Sequence, residues 1–304
     1  MVKKLAVLTG LVLLAACSKP KPATPSLDPN AFDTGRASTN VAQQVAFGPR
    51  PSGGLRLAQV ALYMKKELES YGLDVSLQEF TAGTPRGPMQ FRNIVAKTKT
   101  RSNKPDSLII LGSHYDTKSF DNFEFVGAND GASSAGVLME VARVAAQQPN
   151  LEFVWFDGEE ALVEYGPEDG LWGSKYFVED LKGAGKVALV KAMVLLDMIG
   201  DANLNVTVNG PLAPAVFKAS RAMGFRDYFK LGGGGLLDDH IPFLRAGIPA
   251  VDLIDFEFGS APGLNDYWHT DKDTLDKLSP RSLEIIGKTT LRLISELQTA
   301  PSLR

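Results

Sequence analysis

The chain has 304 residues, of which 44% are hydrophobic and 22% are charged, and this is ample for one substantial hydrophobic core. Its 32 lysine and arginine residues nearly balance its 35 aspartate and glutamate residues, so the formal net charge is only -3. Because no basic block or basic helix is present, the sequence argues against nucleic-acid binding.

The segment 1–17 has the composition of an export signal. Lys3 and Lys4 precede a short apolar run, which ends in small residues before Cys17, the only cysteine. The run is shorter than the roughly 20 residues that a membrane-spanning helix needs. Because residues 14–17 resemble a bacterial lipobox, we predict a signal peptide over 1–16 and lipidation of Cys17. An ordinary secretory signal with a chance cysteine is the alternative.

Lipidation would anchor the protein in the bacterial cell envelope, and Ser18 after the lipidated cysteine fits sorting to the outer membrane. The following residues, SKPKPATPSLDPN, are rich in proline and small polar side chains. This composition favours an extended tether. We therefore predict a lipidated cysteine and tether over 17–31, followed by one globular domain over 32–304.

Within that domain, the hydrophobic pattern alternates between strands and helices. Strands are predicted at 75–80, 91–97, 108–112, 151–156, 192–196, 205–208 and 250–254. Helices are predicted at 56–71, 133–147, 174–182, 213–223, 239–246 and 280–297. This alternation predicts an α/β fold, a single domain with a mainly parallel mixed β-sheet and helices on both faces.

Acidic and histidine residues follow the predicted strands at or just beyond their carboxyl ends. In an open α/β sheet, ligands bind in the crevice outside these ends. Several carboxylates brought together there repel each other unless a cation neutralises them. Two imidazoles and carboxylate oxygens suit zinc, with one position left for water or substrate. We therefore predict a catalytic zinc site from His114, Asp116, Asp130, Glu159, Glu160, Asp197 and His269.

Individual residues of this set have alternative explanations. His114 and Asp116 lie two apart on a strand end, so Asp116 can accept a hydrogen bond from a metal-bound His114. Asp130 precedes a helix and could cap it, bind metal, or do both. Glu159 and Glu160 point in different directions, so one can bind metal while the other faces the reacting atom. A solvated acidic turn is the alternative, but an apolar strand leads directly into the pair.

Two other features are assigned no ligand role. His240, in the segment DDHIPF, is predicted to be structural or to support the site from behind the ligands. The run Gly232 to Gly235 lacks the lysine and the helix start of a phosphate-binding loop. It is predicted to be either a flexible loop beside the site or an ordinary linker.

Several motifs, in the same order, resemble the zinc-dependent M28 aminopeptidase family. The resemblance covers nearly all of the globular domain and is strongest to the glutaminyl-peptide cyclotransferase branch of the family. The matching segments are FGPRPSGG, HYDTK, GANDGASSAGVLMEVAR, FDGEEA, GSKYF, LLDMIG, DDHIPFL and YWHTDKDT.

The resemblance implies a role for each matching residue. Asp130, Glu160 and His269 would bind the catalytic zinc, and Glu159 would be the general acid/base. Asp197 and Asp239 would form a supporting network of carboxylates. Trp268 would line the substrate pocket, with Tyr165 on its wall. His114 and Asp197 would complete a second metal position, as in dinuclear aminopeptidases, so one or two zinc ions are expected.

Two reactions on peptide or protein N-termini follow from the resemblance. The first is cyclisation of an N-terminal glutamine to pyroglutamate with release of ammonia; the second is hydrolysis of the N-terminal peptide bond. The long segment ALVEYGPEDGLW after Glu160 and the Trp268–His269 pair resemble the cyclases. Tyr165, however, stands where animal cyclases tend to carry tryptophan. The cyclase is the favoured prediction and the aminopeptidase is the alternative.

A third class is a non-catalytic surface lipoprotein that keeps the fold for binding. The presence of every implied ligand and of the acid/base argues against it. The sequence does not define the oligomeric state or the physiological substrates.

Overall fold

The computed structural model describes residues 26–99 and 107–301. The predicted signal peptide, Cys17 and most of the predicted tether lie outside the described residues. In the described part of the chain, no helix is both long and apolar enough to cross a membrane.

Seven α-helices and eight β-strands form the described domain. The helices are α1 (Thr34–Ala46), α2 (Leu55–Ser70), α3 (Ser134–Ala145), α4 (Trp172–Gly183), α5 (Ala213–Ala222), α6 (His240–Arg245) and α7 (Pro280–Thr299). The strands are β1 (Asp74–Thr84), β2 (Gly87–Lys97), β3 (Leu108–His114), β4 (Leu151–Phe156), β5 (Val190–Asp197), β6 (Val206–Asn209), β7 (Phe229–Leu231) and β8 (Ala250–Ile254).

All eight strands belong to one mixed sheet in the order β1-β2-β4-β3-β5-β8-β6-β7. Its centre is parallel, because β4, β3, β5 and β8 run in the same direction. The antiparallel pairs are β1 with β2, β2 with β4, and β6 with β8. The predicted α/β fold with a mainly parallel mixed sheet is confirmed.

Alternating side chains of the central strands pack into two hydrophobic cores, one on each face of the sheet. Ile109 and Leu111 of β3 lie in the larger core, whereas Ile110 lies in the smaller one. This is the period-two alternation that a strand buried on both faces produces. The larger core is covered by α1, α2, α3, α5 and α7, and the smaller by α4 and α6.

The structure adds two elements that the hydrophobic pattern did not predict. Helix α1 buries Ala37 and Val41 but also the polar Asn40 and Gln44, so its buried face is only half apolar. Strand β7 is only three residues long and pairs in parallel with β6. Neither leaves a clear periodic signal in the sequence.

Candidate metal centre

The predicted site residues converge at the carboxyl edge of the central parallel strands. Strand β3 ends at His114, strand β5 ends at Asp197, and strand β4 is followed directly by the turn that carries Glu159 and Glu160. Since these strands are parallel neighbours, their carboxyl ends meet at one edge of the sheet. Asp130 and His269 reach the same edge from loops.

One group of three side chains brings together Asp130, Glu160 and His269, as the family resemblance implies. Their donor atoms lie within 4.8 Å of one another. The Nε2 atom of His269 is 3.1 Å from Oε1 of Glu160 and 3.3 Å from Oδ2 of Asp130. Both carboxylates are buried, while the His269 side chain is 14% exposed. The group can therefore hold a metal ion with one side open to a substrate.

A second group shares Asp130 with the first. The Nε2 atom of His114 lies 3.1 Å from Oδ1 of Asp197 and 3.2 Å from Oδ1 of Asp130. Asp130 thus turns one oxygen towards each histidine. A carboxylate placed in this way can bridge two neighbouring metal positions.

Asp130 is held by a kinked backbone rather than by a helix start. It has an extended conformation (φ -81°, ψ 102°), and Gly131 follows with φ 89°. Asp273 accepts hydrogen bonds from the backbone N–H groups of Asn129 and Asp130, at 2.6 and 3.0 Å. Helix α3 begins at Ser134 with Ser133 as its N-cap residue, so the interpretation of Asp130 as a helix cap is wrong.

Asp116 organises the backbone of the glutamate pair. Its Oδ1 and Oδ2 atoms accept hydrogen bonds from the N–H groups of Glu159 and Glu160, each at 3.3 Å. Nδ1 of His114 lies 3.5 Å from Oδ1 of Asp116, but the predicted hydrogen bond between these atoms is not formed. Asp116 therefore supports the two glutamates from beneath the site.

Tyr165, predicted as a pocket wall, contacts both glutamates directly. Its hydroxyl oxygen lies 2.9 Å from Oε2 of Glu159 and 2.8 Å from Oε2 of Glu160. Lys118, which the sequence did not single out, lies over the Tyr165 ring with its Nζ atom 3.7 Å from Oε2 of Glu160. This lysine is separated from Glu160 by more than forty residues of chain, and no local pattern marks it.

The buried carboxyl groups of the site favour the binding of a cation. Burial, reinforced by Asp130, raises the pKa of Glu160, and burial holds the pKa of Glu159 well above its ordinary value. Burial lowers the pKa of His269, but hydrogen bonds to Asp130 and Glu160 outweigh it and raise that pKa to about 9. The carboxylates thus favour a positive charge on His269, which is the charge that a bound metal ion would supply instead.

More buried carboxyl groups lie behind the proposed ligands. Burial raises the pKa of Asp239 to about 7, and burial also raises the pKa of Asp197. Asp238 and Asp252, which the sequence analysis did not single out, are equally buried, and with His240 they form a third group of donor atoms within 4.8 Å. Asp252 has a visible sequence signal, since it interrupts the apolar strand AVDLI.

Aromatic rings pack around His269. The Trp268 ring stacks on the His269 ring with 3.9 Å between centroids, and Phe256 lies 5.0 Å from Trp268. Phe120 and Phe125 each lie edge-on to the His269 ring, with 5.7 Å between ring centroids. Trp268 thus packs directly against the second histidine.

The comparisons with known proteins agree with this architecture. The model of peptidase family M28 matches residues 93–294. The glutaminyl-peptide cyclotransferase-like protein of Bos taurus is 30% identical over 274 residues, covering 78% of this chain and 69% of the relative.

Two solved structures show the same overall similarity. A glutaminyl cyclase from an Acidobacteriales bacterium is 30% identical with a TM-score of 0.81, covering 93% of this chain and 99% of the other. A Zn-dependent exopeptidase from Parabacteroides distasonis is 27% identical with a TM-score of 0.75, covering 90% and 99%. The family match, the sequence relatives and the shared fold together show that this chain belongs to peptidase family M28.

Proposed function

We propose that the chain is a zinc-dependent glutaminyl-peptide cyclotransferase. It would convert the N-terminal glutamine of peptides or proteins to pyroglutamate and release ammonia. The observation that carries the proposal is the glutamate pair, in which Glu160 joins the group with Asp130 and His269 while Glu159 does not. The names of the Bos taurus relative and the Acidobacteriales structure support the choice of reaction.

Asp130, Glu160 and His269 would hold the zinc ion. Two carboxylates and one imidazole leave a fourth position for substrate, as in catalytic zinc sites. The raised pKa of His269, to about 9, fits this assignment because it reflects the excess negative charge around the ring. When bound, zinc supplies Lewis acidity that polarises the side-chain amide carbonyl of the substrate glutamine.

Glu159 would move the proton during cyclisation. It takes a proton from the α-amine of the substrate as the amine nitrogen attacks the side-chain amide carbon. It then gives that proton to the amide nitrogen, so that the carbon–nitrogen bond breaks and ammonia leaves. The burial that raises the pKa of Glu159 makes the carboxylate a better base than an exposed glutamate.

The remaining site residues would position these groups. Asp197 and Asp239 would supply a buried carboxylate network behind Glu159, whose charges raise its pKa further. Trp268 would cover the substrate side chain, since its ring lies on His269 at the open edge. Tyr165 would restrain the two glutamate carboxylates as well as lining the pocket.

An aminopeptidase is the second candidate, favoured by the His114–Asp130–Asp197 group beside the first. With two metal ions, a water molecule would be the nucleophile and Glu159 its base. His114→Ala separates the candidates, because it removes a ligand of the second position only. A cyclase with one zinc keeps its metal content and most of its rate, whereas a dinuclear peptidase loses about half its metal and most of its activity.

A direct kinetic comparison tests the proposed reaction. Purified protein is given peptides that differ only in their first residue, glutamine or leucine, and both ammonia and free amino acid are measured. Ammonia released only from the glutamine peptide supports the cyclase. Free leucine or free glutamine in the products would instead support the aminopeptidase.

The protein would act at a bacterial membrane, attached through Cys17. The supporting observation is the sequence before Cys17, with two lysines, a short apolar run and small residues. Cys17→Ala should move the protein out of the membrane fraction, with Ser18→Ala as a control that keeps the cysteine. Unchanged membrane fractionation of Cys17→Ala would rule out lipidation.

A further inference from the structure

The loop before helix α2 contacts two buried carboxyl groups beneath the glutamate pair. The Oγ atom of Ser52 lies 2.6 Å from Oδ1 of Asp157 and 3.4 Å from Oδ2 of Asp116. Asp116 and Asp157 are only 1% and 2% exposed, while Ser52 is half-buried. One hydroxyl group therefore joins two carboxyl groups that water barely reaches.

These three groups, the Ser52 hydroxyl and the Asp116 and Asp157 carboxyl groups, form a bridge that has few hydrogens to donate. A hydroxyl has a single hydrogen, and an ionised carboxylate can only accept. Ser52 can therefore donate to just one of the two aspartates, and the second contact is favourable only if the other aspartate carries a proton. If both carboxylates were ionised, the hydroxyl hydrogen would serve one of them, and the other would face the hydroxyl oxygen lone pair to lone pair.

The proton belongs on Asp157. Burial, together with the nearby charge of Asp116, raises the pKa of Asp157 to about 8. Its Oδ2 atom accepts a hydrogen bond from the backbone N–H of Arg92 at 2.7 Å, which leaves Oδ1 to carry the proton towards Ser52. Asp157 then donates to Ser52, and Ser52 donates to Asp116.

Asp116 connects this bridge to the reacting groups. Each of its two oxygens accepts a backbone N–H, one from Glu159 and one from Glu160. The carboxylate therefore sets the position of the turn that carries both glutamates. The side-chain hydrogen bonds of Ser52 go to Asp157 and Asp116, and the one to Asp116 is its link to the two backbone amides.

We infer that Ser52 is a positioning residue, which fixes the Asp116 carboxylate through its bridge to Asp157 and thereby holds the Glu159–Glu160 backbone in place. The inference extends the proposed function, because the positioned turn carries the proposed acid/base. Its structural part, the protection of two backbone amides, does not depend on which reaction is catalysed.

The test compares Ser52→Ala and Ser52→Thr with a matched control, Ser70→Ala. Ser70 lies at the exposed end of α2 and bonds only a carbonyl within its own helix. Hydrogen exchange of the Glu159 and Glu160 amides is measured on the zinc-loaded full chain. Ser52→Ala should speed exchange at these amides by about 10-fold, Ser52→Thr should restore protection, and the control should change neither.

Kinetics supply a second readout on the same proteins. Ser52→Ala should lower kcat by about 10-fold with little change in KM and with zinc content retained, and Ser52→Thr should recover most of the rate. Asp157→Asn tests the same bridge from its other end, because the asparagine amide can still donate a hydrogen bond to Ser52. It should therefore keep the Glu159 and Glu160 amides protected.

Three results would overturn the inference. The first is unchanged exchange at the two amides in Ser52→Ala, and the second is exchange that rises equally across the whole chain with loss of zinc. The third is a Ser52→Thr variant as impaired as Ser52→Ala. If the wild-type protein forms no pyroglutamate, the proposed function fails, but the exchange measurement still decides the role of Ser52.

Discussion

The hydroxyl oxygen of Tyr165 lies 2.9 Å from Oε2 of Glu159, so the proposed acid/base has a phenol as a direct neighbour. The same oxygen is 2.8 Å from Oε2 of Glu160. A phenol has one hydrogen to donate and therefore cannot satisfy two ionised carboxylates at once. The phenol can therefore donate to only one of the two carboxylates at a time.

Tyr165→Phe should lower kcat by about 10-fold, because it removes a hydrogen bond to a charged group without opening a cavity. KM should change little, since the aromatic ring is retained. Steady-state kinetics on a glutamine peptide measure both kcat and KM. A rise in KM alone would mean that Tyr165 serves only as the pocket wall that the sequence suggested.

Glu159 and Glu160 should respond differently to the same substitution. Glu159→Gln should keep zinc and lose activity by about 100- to 10,000-fold, the usual contribution of a general acid/base. Glu160→Gln should lose zinc, because an amide is a weaker ligand than a carboxylate. Metal content and rate are measured on both variants. The opposite outcome would show that the two roles are exchanged.

Asp157 should make the stability of the fold depend on pH. Its pKa is raised by burial from 3.8 to about 8, so the folded state holds a proton that the unfolded state releases near pH 4. The stability contributed by this proton is complete below the unfolded pKa and is lost as pH rises to about 8. Asp157→Asn cannot lose a proton at this position.

We therefore expect the free energy of unfolding to fall less steeply for Asp157→Asn than for the wild type between about pH 5 and pH 8. Urea unfolding with a chelator present, at several pH values, measures both slopes without interference from zinc. Parallel curves for the two proteins would contradict a protonated Asp157.

The turn that carries Asp130 should not tolerate a side chain at Gly131. This glycine has φ 89°, and a Cβ atom would lie 2.7 Å from the carbonyl oxygen of Asp116 and 3.1 Å from Cε1 of His114. Gly72 has a similar φ of 85° but nothing within 4 Å of such an atom. The two glycines therefore separate backbone strain from crowding at the site.

Gly72→Ala should cost about 1–2 kcal/mol of stability, the price of a left-handed backbone for a residue with a Cβ. Gly131→Ala should cost more and should also weaken zinc binding, because relief of the crowding would shift the turn that carries the proposed zinc ligand Asp130. Thermal unfolding and zinc titration measure both effects. Equal behaviour of the two variants would mean that the site can absorb the extra atom.

The position of the site could be predicted from the sequence because it follows from strand ends. His114 and Asp197 close two apolar runs that are parallel neighbours in the sheet, and Glu159 follows a third. The period-two pattern of a strand can be recognised from the local sequence. That ligands bind at the carboxyl ends of the strands holds for open α/β sheets in general. The two rules bring these residues together without any knowledge of loop structure.

Other parts of the site depend on contacts that no local pattern encodes. Lys118 meets Glu160, and Ser52 meets Asp157, only because separate loops fold over the sheet edge. The family resemblance places Tyr165 on the pocket wall, but its contact with both glutamates is visible only in the structure. Helix α1 was missed because polar side chains share its buried face.

Mass spectrometry of a glutamine-initiated peptide distinguishes cyclisation of the first residue from its hydrolytic release. The peptide is incubated with the zinc-loaded protein, with the same protein after chelation, and with Glu159→Gln. We expect loss of one ammonia from an otherwise intact peptide, abolished by chelation and strongly reduced in Glu159→Gln. Release of the first residue, or an unchanged peptide with zinc demonstrably bound, would contradict the assignment as a glutaminyl cyclase.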